Sequence, residues 1–183
     1  MAKSLDELDI RLLVDLLRDR SRPDKSLGQH FLIDEDVIER TLQLTEEYGS
    51  PITEKSHVLE VGPGAGSLTL GLLKEGARVT ALEIDEQSVI HLRRVFGGRE
   101  ADLMVIMEDA LTQSWPKGIS HMISNLPYQI SSPILERIRL HHNSDPIQIC
   151  ILLVQEEFAY RMAMTSSPYD IGPLGLNLWL DFE

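Results

Sequence analysis

The stretch "SNLPYQISSPIL" (124–135) sets an amide, a stiff ring and an aromatic in one turn between an apolar run and a helical segment. A plain turn would use such residues, and so would a clamp for a flat, hydrogen-bonding substrate such as a nucleobase. The exocyclic amine of adenine is a poor nucleophile because its lone pair is delocalised into the ring. The Asn125 side-chain oxygen and the Leu126 carbonyl are two acceptors that would favour its pyramidal, reactive form. Pro127 has a fixed φ and no N–H, so it stiffens the turn that aims them. Tyr128 offers a face for stacking, worth about 1–3 kcal/mol per base. No strong general base is required, because the proton can leave later to water, and alignment with the methyl donor would supply most of the rate.

A second constellation supplies the donor. "EVGPGAG" (60–66) places glycines at 62, 64 and 66 between a strand-like and a helix-like run. The spacing is G-x-G-x-G rather than the G-x-G-x-x-G of a dinucleotide fingerprint. Glu83 ends the next apolar run, about 20 positions on, where an acidic group accepts from both hydroxyls of a ribose. Asp109 in "MEDAL" ends a third run. Its carboxylate suits an adenine amine and the Ala110 amide a ring nitrogen, although capping the following segment is the plainer role. Gly62, Gly64, Glu83, Ile84, Asp109 and Ala110 thus outline an adenosine pocket without a pyrophosphate site. That pocket fits S-adenosylmethionine better than NAD, and its chemistry is methyl transfer.

The elements that must position these groups follow a rhythm. "HVLEVG", "ARVTALEID", "DLMVIMEDA", "ISHMISN" and "IQICILLV" are apolar strands, and all but the third are followed by a helical run, the first through a glycine loop. Near-continuous apolar strands alternating with helices predict a mostly parallel, doubly wound α/β sheet covered on both faces. In that fold ligands sit at the carboxyl ends of the strands. Gly62, Glu83, Asp109 and Asn125 should therefore converge on one crevice. Ahead of the sheet, Leu5, Leu8, Leu12, Leu13, Leu16 and Leu17 recur at helical spacing behind a Ser4–Glu7 capping box, predicting a helix over 4–17. A second helix is predicted over 35–48, capped by Asp34, and a further one from Ser131–Ser132–Pro133 with the proline at its first position.

A chain of 183 residues fits one domain, or one domain with an appendage. Residues 1–25 are expected to form an N-terminal helix and basic linker, and residues 26–183 the main domain. No stretch reaches the roughly 18–20 apolar residues of a membrane span, and the N-terminus is too charged for a secretory signal. The expected location is cytoplasmic and the expected state monomeric. The net charge of −12 argues by itself against a nucleic-acid partner. Local clusters run the other way: Arg18, Arg20, Arg22 and Lys25 precede "SLGQHFL", and Arg93, Arg94 and Arg99 follow later. The lone Cys150 lies in an apolar run and reads as a packed thiol. His57, His91, His121, His141 and His142 make no metal-ligand spacing with it, so no metal is expected. His141–His142 is read as a helix end.

"SLGQHFL", "VLEVGPGAGSLT", "ALEID", "EDAL" and "NLPYQISSPIL", in this order, resemble the ribosomal RNA adenine N6,N6-dimethyltransferase family. The resemblance covers about residues 25–165. It implies a Rossmann-like class I methyltransferase that modifies two adjacent adenines near the 3′ end of small-subunit ribosomal RNA, within a subunit assembly intermediate. It places cofactor contacts at Gln29, His30, Leu32, Gly62, Glu83, Asp109 and Asn125, and the target clamp at Asn125, Leu126, Pro127 and Tyr128. Phe31 would help wall the base pocket. His30 stands where the family usually has Asn, and "MTSSPYDIGPLGLNLWLDFE" follows the family pattern only loosely. The family continues into a small helical C-terminal domain, which would fall beyond residue 183. Two other readings share these motifs: a large-subunit RNA adenine methyltransferase of the antibiotic-resistance type, and a non-catalytic RNA- or ribosome-binding factor on the same fold.

Overall fold

The computed structural model describes residues 4–20 and 31–163. Five strands, β1 (His57–Val61), β2 (Arg78–Glu83), β3 (Leu103–Met107), β4 (His121–Asn125) and β5 (Ile149–Leu153), form one parallel sheet in the order β3-β2-β1-β4-β5. The helices are α1 (Ile10–Arg18), α2 (Glu35–Glu47), α3 (Ser67–Lys74), α4 (Glu86–Val95), α5 (Ser131–Ser144) and α6 (Glu156–Ala163). This is the doubly wound α/β fold that the alternating pattern predicts.

Neighbouring residues on a strand face opposite sides, and the two sides build separate cores. Val58, Val79, Ala81 and Ile123 pack with Leu13, Leu72, Leu92 and Phe96 of the helices on one face. Leu59, Val61, Leu82 and Met122 pack with Trp115, Ile134, Leu135 and Ile138 on the other. Because both faces are covered, β1 is buried along its whole length.

Strand order reverses between β1 and β4, and the pairing there is short. β1 and β4 share only the Val58↔His121 and Leu59↔Met122 positions of a ladder, whereas β1 and β2 pair over five. Beyond Leu59 the Ser124 hydroxyl, fully buried, accepts the Val61 N–H at 2.9 Å. A side chain thus satisfies a backbone donor that the splayed strands leave behind. The splay opens a crevice at the carboxyl ends of the strands, at the point where doubly wound sheets bind ligands.

Two helix starts differ from expectation. The leucine pattern over 4–17 is split: residues Leu5–Glu7 form a 3-10 turn, with the Glu7 carboxylate accepting from the Ser4 N–H at 3.0 Å. Leu8 is extended, and α1 begins after Asp9, whose carboxylate accepts from the Leu12 N–H at 2.7 Å. Asp is a strong N-cap and a weak interior helix residue, so a cap at Asp9 wins over continuation. In α5, Pro133 is the third residue rather than the first, behind a 3-10 turn at Tyr128–Ile130. The second helix starts as predicted: the Asp34 carboxylate accepts from Asp36 and Val37.

Edge strand β3 exposes Met104 and Met107, and Arg93 of α4 donates to its Val105 carbonyl at 3.0 Å. Cys150 on β5 is half-buried, and desolvation pushes its thiol up to about 12, as suits a packed thiol. Among the described residues no helix is long and apolar enough to cross a membrane.

Candidate active site

The carboxyl ends of β1 to β4 meet around a cleft of about 440 Å³. Phe31, Leu32, Gly62, Gly64, Glu83, Ile84, Asp109, Ala110, Asn125, Leu126, Pro127 and Tyr128 all line it. Gln29 and His30 lie outside the described residues, as do Arg22 and Lys25.

The glycine loop joins β1 to α3. Gly62, Gly64 and Gly66 all have φ between 55° and 86°, a region that side-chain-bearing residues enter at a cost. Space adds to the requirement at Gly66. A Cβ there would lie 2.7 Å from Phe96 and 2.8 Å from Leu92 of α4 and its C-cap. Gly66→Ala is therefore expected to destabilise the fold by about 2–4 kcal/mol, combining backbone strain with overpacking. Urea unfolding of the variant beside the parent measures this; equal midpoints would refute it. At Gly62 a Cβ would come within 3.3 Å of the Pro127 ring, so the 125–128 turn rests directly on the loop.

Glu83 is 5% exposed and held by three backbone donors. Its Oε1 accepts from Ile84 at 2.9 Å and Asp85 at 3.0 Å, and its Oε2 accepts from Gly64 at 2.9 Å. Burial raises its pKa above the usual carboxylate range, and the hydrogen bonds from Asp85, Gly64 and Ile84 oppose that rise. A carboxylate offers about four lone-pair positions. With Oε2 taking only one amide, a lone pair remains for a ligand hydroxyl. Ile84 is 56% exposed at the cleft mouth, an apolar surface suited to a purine face.

Asp109 follows β3. Its Oδ1 accepts from the Leu111 N–H at 2.8 Å, so the capping role is real and the other oxygen is the one left for a ligand. The buried Trp115 indole N–H donates to the Ala110 carbonyl at 3.0 Å and fixes this loop from behind. Arg137 stacks over the Trp115 ring at 5.4 Å and donates to the Gln113 carbonyl.

Asn125 is the last residue of β4. The Leu126 N–H donates to Leu153 at 3.0 Å and its side chain is buried in the core, which anchors the turn. Pro127 has φ −57°, and its carbonyl accepts from the Ser131 hydroxyl at 3.1 Å. Tyr128 is left 54% exposed beside the cleft. Across from it, Phe31 packs near Gly64 with Arg18 at 5.9 Å over its ring.

Glu60 also lines the cleft and was not singled out by the sequence reading. It is 1% exposed, receives the Thr69 hydroxyl at 2.6 Å, and burial pushes its carboxyl up to about 8, with nearby Glu83 adding to the rise. An acidic residue inside the apolar run "HVLEV" was the available signal. Ser67, Val154 and Gln155 complete the lining. Among the described residues no cluster of His, Cys, Asp or Glu could hold a metal ion. His141 and His142 do stand at the end of α5.

The donor set fits an adenosyl cofactor: glycines of positive φ at 62 and 64 on the cleft wall, a fixed buried carboxylate, and an acid–amide pair at 109–110. Comparison with known proteins identifies relatives of the whole domain. A probable ribosomal RNA small subunit methyltransferase A of Thermococcus gammatolerans is 39% identical over 152 residues, 83% of this chain and 50% of that protein. This chain therefore spans about half the length of the curated relatives it matches. A dimethyladenosine transferase from Plasmodium falciparum superposes with a TM-score of 0.69 at 27% identity, over 82% of this chain and 52% of the other. The 23S rRNA methyltransferase ErmE superposes with 0.65, also at 27% identity, over 82% of this chain and 57% of the other. The family described as ribosomal RNA adenine dimethylase matches residues 20–183, and the chain belongs to that family.

Proposed function

We propose that the chain carries the catalytic domain of an S-adenosylmethionine-dependent enzyme that dimethylates adjacent adenines of small-subunit ribosomal RNA at N6. The observation that carries this reading is the convergence of the glycine loop, Glu83, Asp109 and the Asn125–Tyr128 turn on one cleft at the β1/β4 switch point. Residues 26–183 make up the catalytic domain and residues 1–25 its N-terminal appendage. Its substrate is the ribosomal RNA of a small-subunit assembly intermediate, and it acts as a cytoplasmic monomer.

Bound S-adenosylmethionine supplies a methyl group activated on a sulfonium. Glu83 holds the ribose hydroxyls, while Asp109 and the Ala110 amide select the adenine. Gln29, His30, Leu32, Gly62, Gly64, Ile84 and Asn125 complete the cofactor contacts. Asn125 Oδ1 and the Leu126 carbonyl accept from the target amine, drawing its lone pair out of conjugation. Pro127 keeps those acceptors in place, and Tyr128 and Phe31 hold the base between aromatic faces. The surplus proton passes to water once transfer is complete.

Calorimetric titration with S-adenosylmethionine tests the reading. The parent chain is expected to bind in the micromolar range, and Glu83→Ala to bind at least 30-fold more weakly. A parent that has a folded circular dichroism spectrum yet binds nothing would refute the cofactor assignment. The resemblance to ErmE in particular calls for methyl incorporation into large- and small-subunit RNA side by side. Labelling of the large subunit alone would move the substrate assignment to the resistance type.

A further inference from the structure

His91 is a buried titratable ring for which the proposed chemistry has no use. It sits on α4, 1% exposed, with Nε2 3.2 Å from the Ala65 carbonyl in the glycine loop. A carbonyl only accepts, so Nε2 carries the hydrogen and Nδ1 is the bare nitrogen. Nδ1 is buried and has no hydrogen-bond partner among the described residues. Burial keeps the ring below its ordinary pKa; the bond to Ala65 opposes this and the charge of Arg20 adds to it. His91 thus offers the loop one directed bond, from Nε2.

That bond acts on a loop already seated on α4. Gly66 meets Leu92 and Phe96 so closely that it has no room for a Cβ. From the other side Val14 and Leu17 of α1 pack in one buried cluster with Ala65. These contacts are apolar and set distance but not orientation. The peptide that joins Ala65 to Gly66 is held at both ends: its N–H donates to the Pro63 carbonyl at 2.9 Å and its carbonyl accepts from His91, which ties it to α4. The amides around Ala65 already have fixed roles: Gly64 donates to Glu83 at 2.9 Å and Gly66 to the Pro63 carbonyl at 2.9 Å. Turning the Ala65–Gly66 peptide would break the Gly66 bond directly and would reach the Gly64 bond through the backbone of the short loop between them.

We propose that His91 is a positioning residue for cofactor binding: its Nε2–H pins the Ala65 carbonyl to α4 and so fixes the glycine loop and its bond to Glu83. The proposal rests on the assignment of this cleft to S-adenosylmethionine. A ring that merely fills space would be replaced adequately by a side chain of similar size, whereas a directed bond requires a donor at the right reach. Gln places its amide nitrogen near the position of Nε2, and Asn near that of Nδ1.

The test uses the full chain and His91→Leu, His91→Asn and His91→Gln, with two measurements on each. Calorimetric affinity for S-adenosylmethionine is expected to fall at least tenfold for Leu and Asn and to stay within about threefold for Gln. Amide hydrogen exchange at Gly64 and Gly66, followed without ligand, is expected to accelerate at least tenfold in Leu and Asn and not in Gln. Parent-like affinity and exchange in His91→Leu would overturn the proposal, as would a folded His91→Gln that behaves like Leu. Should the parent bind no cofactor, the cofactor assignment fails, and the exchange series still decides whether His91 holds the loop. If Leu does not fold, the contrast between Asn and Gln decides it.

Discussion

Asn125→Ala is expected to lower methyl transfer to undermethylated small subunits at least 100-fold, a loss of about 2.7 kcal/mol in the transition state. Asn125 closes β4 and faces the cleft that also holds Glu83 and the glycine loop. Its oxygen is one of two acceptors assigned to the adenine amine, the Leu126 carbonyl being the other. Asn125→Asp keeps an acceptor at the same reach and should retain more activity than Ala. Single-turnover methyl incorporation separates this from a binding defect when cofactor affinity is measured on the same samples. Equal rates for Ala and the parent would remove Asn125 from the chemistry. An Asp variant as inactive as Ala, with cofactor affinity intact, would show that the amide hydrogens matter rather than the acceptor oxygen.

The parts of this site that were legible in the sequence are those encoded by short-range pattern. Apolar runs ending in Gly62, Glu83, Asp109 and Asn125 specified strands and their carboxyl ends, and a parallel sheet brings such ends together. The order β3-β2-β1-β4-β5 needs contacts between distant segments, and so does the splay after Leu59 that Ser124 bridges. In "ISHMISN" that serine is an ordinary polar residue. His91 looked like one more residue of an amphipathic helix. It is buried because the glycine loop folds over α4 and α1 packs beside it, and neither approach leaves a local trace. The N-terminal leucines show the opposite error: a helical period was present from Leu5, yet the α-helix begins only after Asp9, because capping is a local competition that periodicity does not score.

Glu60→Gln is expected to stabilise the chain by an amount that grows with pH. The folded chain holds the Glu60 proton up to about 8, whereas an exposed Glu releases it near 4.5. Between those values the folded state binds one more proton than the unfolded state, so stability falls as pH rises through the window. Below it both states are protonated and no penalty applies; above it the penalty is complete. At pH 7 the cost approaches about 3 kcal/mol, at 1.36 kcal/mol per pH unit. Gln is neutral throughout, has nearly the same shape, and its carbonyl oxygen accepts the Thr69 hydroxyl in place of Glu60 Oε2. The two melting temperatures should therefore agree near pH 4.5 and diverge by about 6–10 °C at pH 7. Parallel profiles from pH 4.5 to 8 would mean that Glu60 ionises normally, through water reaching the floor of the cleft. A divergence would show that the cleft floor holds a neutral carboxyl. Glu60 in that state adds no second negative charge beside Glu83, the carboxylate assigned to the ribose.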